Sequence, residues 1–234
     1  MTNKGILYIA VNSHNHFNEA IESAKSVLSH NNINITIITD QDYRPLDNLQ
    51  YKQVHPVVHH PLKDKCRLMS ESPYDKTLFL DTDTKILGDI SPIFDYLEEH
   101  DIVVANAPDV DRSKDRLSKD FLIDYKIPNI YNTGVLGFRN NDKINKFFNM
   151  WWDRFKEIPN SKVNTGHGDQ IYFNKLLNDK DVDTSFLNIK VVDNKKYNAR
   201  GAIMPFLIED DLDRDIIIYH GHRDINDFYG QKVK

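Results

Sequence analysis

The chain has 234 residues, of which 28% are charged and 40% hydrophobic, and its formal net charge is -5 at pH 7. This length suits one α/β domain with a large core, or at most two small domains. The mild acidity argues against a general nucleic-acid-binding protein, because such proteins carry a basic surface. The single cysteine, Cys66, excludes an intramolecular disulfide and a cysteine-rich zinc site. No apolar segment approaches the length of a membrane span and no signal-peptide core begins the chain, so we expect a cytoplasmic protein for which peripheral membrane contact stays open.

The first half of the chain predicts alternating strands and helices. Apolar runs predict strands at 5–11, 33–39 and 77–80, with a short strand near Gln53–Val54. Helical spacing of apolar residues predicts a helix over 17–28, and a shorter helix is predicted over 62–70. A strand, a helix and a second strand in this order imply a right-handed crossover between parallel strands. The ends of the first two strands, at Val11–Asn12 and Asp40, should therefore lie on one edge of the sheet.

The second half continues the alternation and shows no repeat or linker, so the whole chain is interpreted as one domain. Ser91 is expected to cap a helix with Pro92 in its first turn. Residues 111–125 are highly charged and are interpreted either as a flap over a site or as a solvated surface. The remaining predicted elements are an extended segment at 85–87, strands at 101–105, 131–138, 186–192 and 216–219, and helices at 142–155 and 171–177. The helix at 142–155 is expected to be capped by Asp142 and to bury a largely aromatic stripe, Ile144, Phe147, Phe148, Trp151 and Trp152.

Two carboxylates close the apolar strand at 77–80. Asp81 and Asp83 are spaced i, i+2, so on extended backbone they project to one side while Thr82 turns away. Two acids directed at one spot repel each other unless a cation lies between them, and oxygen ligands of this kind suit Mg²⁺ or Mn²⁺. The alternative is a solvated turn, in which aspartate is common. We favour the metal site, because the strand delivers both acids to the edge where ligands bind in α/β sheets.

Several histidines and basic residues are weaker candidates for a site. His55, His59 and His60 have no accompanying acid or cysteine pattern and are interpreted as part of a solvated loop. Most of the charges at Lys63, Lys65 and Arg67 are expected to face solvent, with one of them near enough to the edge of the sheet to complement a phosphate.

A second polar cluster follows the last predicted strand. His220 and His222 are imidazoles, which ligate Mn²⁺-like ions when neutral, and Arg223 could neutralise a phosphate. Taken alone, His220 is more often structural than a ligand, but the pair of acids elsewhere in the chain reverses that preference. Glycines also precede Asp169 and Gln170 at a predicted helix start, where the backbone can approach a ligand closely.

Together these motifs resemble GT-A-fold glycosyltransferases that use a nucleotide sugar, and most of all the glycogenin-type retaining family. The matching positions, in chain order, are Lys65, the DxD motif Asp81-Thr82-Asp83, the segment Ala105–Asp109, Asn132-Thr133-Gly134-Val135, Gly168-Asp169-Gln170 and His220. The resemblance runs from the first strand to near the C-terminus. It implies a single GT-A (Rossmann-like) domain over 1–234 with a mostly parallel mixed sheet, a nucleotide-binding half at about 1–110 and an acceptor-side half at about 111–234.

The resemblance also implies roles for individual residues. Asp81, Asp83 and His220 would bind Mn²⁺ or Mg²⁺ with the diphosphate, and Asp81 and Thr82 would also contact the nucleotide. The nucleotide, expected to be a UDP-sugar, would be cradled by Val11, Asn12 and Asp40. The transferred hexose would be held by Lys65, Asp109, Asn132, Asp169 and Gln170, of which Asp109, Asp169 and Gln170 are the catalytic candidates. The acceptor would be a glycan or another hydroxyl compound.

The chain departs from that family at three places. Gly221-His222-Arg223 replaces a lysine-bearing segment, so the phosphate contact there is expected to shift to Arg223 with His222 beside it. Gly166 stands where an acid is expected, and the insertion between Asp109 and Asn132 is long, so the acceptor is not carried over from the resemblance. The resemblance favours retention of configuration. Inversion would require a carboxylate base, for which Asp169 is the candidate.

Two other functions fit the same residues. Leu80-Asp81-Thr82-Asp83-Thr84 also matches the DxDx[T/V] motif of haloacid-dehalogenase-like phosphohydrolases. In such an enzyme Asp81 would be a nucleophile and Asp83 a general acid–base, with Mg²⁺ held by a later pair such as Asp210-Asp211. That motif usually lies on the first strand, whereas other strands precede it here. The third alternative is a non-catalytic protein that binds a nucleotide sugar.

Overall fold

Two sheets and the helices around them form the described part of the chain. A computed structural model describes residues 3–42, 49–53, 60–107, 130–163 and 168–229. The strands are β1 (Lys4–Ala10), β2 (Asn34–Thr39), β3 (Leu49–Gln53), β4 (Lys76–Leu80), β5 (Thr84–Ile86), β6 (Ile102–Asn106), β7 (Tyr131–Arg139), β8 (Ile189–Val192), β9 (Ala199–Arg200) and β10 (Ile218–His220). The helices are α1 (His14–His30), α2 (Pro61–Leu68), α3 (Ser91–Tyr96), α4 (Asp142–Lys156), α5 (Gly168–Asn178), α6 (Asn194–Tyr197), α7 (Met204–Glu209) and α8 (Asn226–Tyr229).

The larger sheet has seven strands in the order β3-β2-β1-β4-β7-β6-β8. β1 pairs in parallel with β2, as the strand–helix–strand pattern predicts, and it also pairs in parallel with β4, while β2 pairs in parallel with β3. β7 is antiparallel to both of its neighbours, β4 and β6. The carboxyl ends of β1, β2 and β4 therefore share one edge, and polar residues that follow these strands are brought together there. The prediction of a mostly parallel α/β sheet is confirmed.

The smaller sheet has three strands in the order β5-β10-β9. β10 runs antiparallel to β5, with His220 opposite Thr84, and parallel to β9, with His220 opposite Arg200. The N–H of Gly221 donates to the Asp83 carbonyl at 2.9 Å, which continues the pairing past the end of β10. This small sheet brings the end of β10 to the edge where β4 ends.

Apolar layers cover both faces of the larger sheet. One layer packs α1 and α3 against the sheet, and the other packs α2, α4 and α5 against it. The aromatic stripe of α4 is core, as predicted: Phe147, Phe148 and Trp151 are at most 1% exposed, while Trp152 is only partly buried. A third cluster lies beneath the small sheet and contains Met204, Leu207 and Tyr219.

Several predicted bounds and caps are wrong by a few residues. Ser91 is the first residue of α3 rather than its cap, because Asp89 accepts hydrogen bonds from both the N–H and the hydroxyl of Ser91. Asn141, not Asp142, caps α4 by accepting the N–H of Ile144 at 3.0 Å. Residues 186–188 precede β8, and the predicted last strand begins at residue 218 instead of residue 216. The predicted element at 111–125, together with Val54, His55 and His59, lies outside the described residues.

No helix in the described ranges is long and apolar enough to cross a membrane. The division of the chain into a nucleotide-binding and an acceptor-side half stays a prediction.

Candidate functional site

Three ligand-type side chains converge where β4 and β10 end. Asp81 follows β4 directly, Asp83 lies two residues later, and His220 is the last residue of β10. The Nε2 atom of His220 lies 3.2 Å from Asp83 Oδ1 and 3.6 Å from Asp81 Oδ2. One ligand atom from each residue falls within 4.8 Å of the other two. Two carboxylates and one imidazole form a donor set that suits Mn²⁺ or Mg²⁺, so the residues fit such an ion.

A chain of hydrogen bonds fixes the orientation of the His220 ring. The backbone N–H of Gly134 donates to Asn132 Oδ1 at 3.0 Å, and that oxygen also accepts from Asn198 Nδ2 at 2.9 Å. The oxygen of Asn198 therefore faces His220 Nδ1, at 2.8 Å, and requires a proton on that nitrogen. Arg200 Nη1 lies 2.6 Å from His220 Nε2, and two opposed donors would repel each other there. The contact with Arg200 therefore favours Nε2 as the unprotonated nitrogen, which accepts from the guanidinium.

The backbone of β7 passes unusually close to this cluster at Gly134. A methyl group added at Gly134 would overlap the His220 ring and would lie 2.6 Å from Asp81 Oδ2. The Asp81 N–H also donates to the Gly134 carbonyl at 2.7 Å. Glycine is therefore required at this position by close approach, and the Asn-Thr-Gly motif contributes both the space for His220 and the hydrogen bond that orients it.

A buried ion-pair network lies on the other side of Asp81. Lys65 Nζ, on α2, lies 2.9 Å from Asp81 Oδ1 and 2.7 Å from Asp169 Oδ2. Thr133 donates its hydroxyl to the same Asp169 oxygen at 2.8 Å. Burial alone would raise the pKa of Asp169, but Lys65 and Thr133 hold it below its usual range. Burial would likewise lower the pKa of Lys65, but the two carboxylates hold it above its usual range, so both groups stay ionised near neutral pH.

The start of α5 is tied to this network from two sides. Gln170 Oε1 accepts from Asn132 Nδ2 at 2.9 Å, which links the helix to the hydrogen-bond chain that orients His220. The Asp169 carbonyl accepts the indole N–H of Trp151 at 3.0 Å. The structure thus brings the predicted sugar-side residues Lys65, Asn132, Asp169 and Gln170 into one continuous network with the metal-type cluster.

The predicted nucleotide residues lie at the ends of β1 and β2. Asn12 adopts a left-handed backbone with φ of 61°, and its N–H lies 3.0 Å from both carboxylate oxygens of Asp40. The Asn12 side chain also contacts Asp64, at 3.4 Å. Val11 is 2% exposed and packs in the core, so only its backbone is available to a ligand. This turn, with its strained backbone at Asn12, holds polar groups from the ends of β1 and β2 next to each other.

The segment after His220 lies apart from the hydrogen-bond network. His222 is largely exposed, 3.1 Å from Glu19 and 3.7 Å from Asp83 Oδ2, while Glu19 also accepts the Thr82 hydroxyl at 3.0 Å. Arg223 donates to the Asp227 carbonyl at 3.2 Å and lies over the Phe228 ring. The predicted phosphate residues therefore border the site, but the Arg223 guanidinium is engaged by α8.

Sequence reasoning missed Arg200 and Asn198, which contact His220, and it missed Glu19. Neither Arg200 nor Asn198 lies in a motif, and the two-residue strand β9 that ends at Arg200 is too short to leave a periodic pattern. A cavity of about 380 Å³ opens beside the cluster and is lined by residues that include Asp83, Asn132, Gln170, Arg200 and His220. Asp109 and Gly166 lie outside the described residues.

Comparison with known proteins identifies the family. Residues 75–211, more than half of the chain, match the family described as nucleotide-diphospho-sugar transferases. The chain belongs to this family. Among the curated protein sequences, none matches the chain significantly.

Solved structures of glycosyltransferases share the fold. The galactosyltransferase LgtC, solved in complex with donor and acceptor sugar analogues, superposes with a TM-score of 0.61 and 17% identity over 97% of this chain and 95% of its own. The glycosyltransferase GlyE of Streptococcus pneumoniae TIGR4 gives 0.60 and 15% identity over 100% of this chain and 61% of its own. WbbM, a bifunctional glycosyltransferase, gives 0.61 and 13% identity over 100% of this chain and 50% of its own.

The predicted GT-A fold and the prediction of a glycosyltransferase are confirmed at the level of family and fold. The chain spans about three fifths of GlyE and half of WbbM, although it spans nearly all of LgtC. The family match favours the glycosyltransferase over the phosphohydrolase alternative. The assignment to the glycogenin-type subfamily stays a prediction.

Proposed function

We propose that this chain transfers a hexose from a UDP-sugar to a hydroxyl group of a glycan or a similar acceptor, with Mn²⁺ or Mg²⁺ as cofactor and with retention of configuration. The observation that carries the proposal is the convergence of Asp81, Asp83 and Nε2 of His220 at one point. Family membership supplies the reaction class.

The metal-type cluster would hold the cation through one atom of each residue. A bound Mn²⁺ or Mg²⁺ would neutralise the negative charge that develops on the diphosphate leaving group. Asn198 accepts the proton of His220 Nδ1, so Nε2 is the ring nitrogen that could coordinate the cation. Lys65 holds Asp81 Oδ1, which leaves Oδ2 facing the cluster.

The nucleotide would lie along the ends of β1 and β2. The Val11 backbone, the Asn12 turn and the Asp40 carboxylate present polar groups suited to a ribose and a pyrimidine. Asp40 now accepts the N–H of Asn12, and a ribose hydroxyl could share the remaining lone pairs of that carboxylate. Thr82 and His222 border the same edge and would flank the diphosphate.

The sugar would lie against the network of Lys65, Asn132, Asp169 and Gln170. Each of these side chains is fixed by at least one other member, so the polar surface is preorganised for hydroxyl groups. Gln170 lies in the Gly168-Asp169-Gln170 segment on which the sequence resemblance rests, which supports a role for it in holding the sugar. The sequence resemblance adds Asp109 to this group.

The electrostatics of Asp169 support retention over inversion. A general base works best with a pKa near neutrality, whereas Lys65 and Thr133 hold the pKa of Asp169 below its usual range. One of its oxygens is already occupied by both partners. Asp169 is therefore better suited to position the sugar than to take a proton from the acceptor. In a retaining transfer the leaving phosphate can take that proton, so the protein needs no dedicated base.

A thermal-stability panel tests this function. The chain is heated with UDP, GDP, ADP or CDP, each with and without Mn²⁺. Binding to the folded state raises Tm, because stability increases with the logarithm of the ligand concentration relative to Kd, by about 2.7 kcal/mol at a hundredfold excess over Kd. We expect UDP to raise Tm only when Mn²⁺ is present. Asp83→Asn should abolish that increase, while Asp153→Asn, at an exposed acid of α4, should preserve it.

The outcomes separate the alternatives. Release of UDP and free hexose from a UDP-hexose in the presence of Mn²⁺ would support the transferase, and NMR of the first-formed hexose or of the glycoside product would report its anomeric configuration. If none of the diphosphates raises Tm and the chain shows phosphatase activity, the transferase is overturned in favour of the phosphohydrolase. Metal-dependent UDP binding without hydrolysis or transfer to any sugar would indicate the non-catalytic protein. The cytoplasmic location stays a prediction.

A further inference from the structure

Arg200 occupies the one ligand atom that the cluster needs from His220. It ends β9, directly opposite His220 in the parallel pairing of β9 with β10. Its Nη1 donates to His220 Nε2 at 2.6 Å. No motif of the sequence includes Arg200, and none of the roles in the proposed transfer reaction uses it.

The lone pair on Nε2 cannot serve two partners at once. A neutral imidazole has a single acceptor nitrogen, and Nδ1 carries the proton because it faces Asn198 Oδ1 at 2.8 Å. Nε2 can therefore accept from Arg200 or coordinate a cation, but not both. A divalent cation would also repel the guanidinium at this short range. Metal binding must release Arg200 from His220.

The released guanidinium has a destination in the adjacent cavity. Arg200 lines the cavity of about 380 Å³ together with Asp83, Asn132 and Gln170. Among the described residues, no carboxylate forms an ion pair with Arg200, whereas Lys65 lies between two carboxylates. Arg223, the other arginine of this cavity, is held by the Asp227 carbonyl and the Phe228 ring. Arg200 is therefore a cation without an ion-paired carboxylate among the described residues, beside the place where a diphosphate would meet the metal.

We propose that Arg200 is a diphosphate-binding residue that caps His220 Nε2 in the metal-free protein and turns to the donor's diphosphate when the metal binds. Guanidinium groups bind phosphate oxygens with two parallel hydrogen bonds, which suits this role. The inference rests on the proposed function, because it requires a metal and a nucleoside diphosphate at this site. It also moves the phosphate contact predicted for Arg223 to a different element.

The test is calorimetric titration of wild type and Arg200→Gln, first with MnCl₂ alone and then with UDP at saturating MnCl₂. Removal of a competing hydrogen bond should tighten binding of Mn²⁺ alone by about two- to tenfold. Loss of a charge-assisted hydrogen bond to phosphate should weaken UDP binding by about ten- to a hundredfold. The two affinities move in opposite directions, which a loss of structural support for His220 would not produce.

Two further variants complete the test. Arg214→Gln removes the same charge from a highly exposed position and should change neither affinity. Arg200→Lys keeps the positive charge, so UDP binding should weaken less than in Arg200→Gln. If the glutamine variant does not fold, the Mn²⁺ and UDP affinities of the lysine variant test the inference.

The result that would overturn the inference is weaker Mn²⁺ binding, or unchanged UDP binding, in a folded Arg200 variant. If wild type binds Mn²⁺ and UDP while the Arg200 variants bind both equally well, only this inference fails. If wild type binds neither MnCl₂ nor any of the four diphosphates, the proposed function fails and the inference fails with it.

Discussion

Gly134 shows how one absent side chain shapes the site. It lies in the middle of β7, where glycine usually weakens a strand because it has no side chain to pack. Here the His220 ring and the Asp81 carboxylate fill the space that a Cβ would take. The glycine is therefore explained by close approach of other groups, and its N–H begins the hydrogen-bond chain that orients His220.

We predict that Gly134→Ala separates His220 from the two carboxylates. The added methyl overlaps the ring, so His220 must shift, and overpacking of this kind costs about 1–3 kcal/mol of stability. Binding of Mn²⁺ should be lost or strongly weakened, as measured by calorimetric titration. Urea unfolding of the same variant measures the stability change.

Gly88→Ala is the matched control for this prediction. A methyl at Gly88 would meet the Ile217 side chain at 3.5 Å, which is ordinary van der Waals contact. This variant should bind Mn²⁺ like wild type. If Gly134→Ala also binds Mn²⁺ as tightly as wild type, the close approach at Gly134 does not determine where His220 lies relative to the two carboxylates.

The lysines of α2 show what residue types alone could not predict. The sequence predicts that most of the charges at Lys63, Lys65 and Arg67 face solvent, yet Lys63 and Lys65 are 4% and 6% exposed. Lys65 is buried because Asp81 and Asp169 compensate its charge, and Lys63 because backbone carbonyls near the end of α4 accept from it. Those partners come from other elements of the fold. The prediction that one basic residue lies near the edge of the sheet agrees with the position of Lys65.

α4 was predictable as a buried aromatic helix because its apolar residues keep helical spacing. Its contribution to the site was not predictable, because that contribution comes from a single polar atom, the indole nitrogen of Trp151. Trp151 is fully buried and donates its indole N–H to the Asp169 carbonyl at 3.0 Å. Trp151 thereby connects the core of the helix to the start of α5, which carries Asp169 and Gln170.

Trp151→Phe should weaken both stability and donor binding. Phenylalanine preserves much of the apolar contact but removes the indole hydrogen bond to the Asp169 carbonyl, at a cost of about 0.5–1.5 kcal/mol. The first turn of α5 should then hold Asp169 and Gln170 less firmly. We expect a lower urea midpoint and weaker UDP binding with Mn²⁺ present.

Phe148→Leu separates packing from the hydrogen bond. Phe148 is buried on the same helix, packs edge-to-face against Phe138 and has its ring centroid 6.3 Å from that of Trp151, but its side chain can make no hydrogen bond to α5. Its truncation should lower stability and leave UDP affinity unchanged. If the two variants lower UDP affinity equally, the Trp151 hydrogen bond has no particular role in the site.

The shortest strand escaped prediction for a physical reason. β9 has two residues, too few to show the alternation that identifies a strand, whereas the three-residue β10 overlaps the strand predicted at 216–219. The pairing of β10 with β5 is a tertiary contact between segments more than a hundred residues apart. The sequence could therefore predict His220 as a ligand candidate but not the neighbours, Arg200 and Asn198, that control it.

The site as a whole depends on two sheets that share one edge. Parallel pairing of β1 with β2 follows from the order of elements and was predictable, because crossovers of this kind have one hand. The antiparallel insertion of β7 beside β4 brings Asn132 and Gly134 to Asp81, and nothing in local spacing indicated that neighbour. Residues that lie far apart in the sequence therefore meet at this edge through the pairing of strands.

Cys66 provides a reporter of that core, because it is the only cysteine and lies on α2 next to Lys65. Its side chain is 1% exposed, and burial raises the pKa of the thiol well above its usual range. The reactive form is the thiolate, so at mildly alkaline pH the native protein should react with Ellman's reagent far more slowly than the protein in concentrated guanidinium chloride. The native rate should also stay low as pH rises through the range in which an exposed thiol ionises. If the native chain is labelled as fast as the unfolded chain, then α2 opens without global unfolding, and the Lys65 network cannot be the rigid support that the site requires.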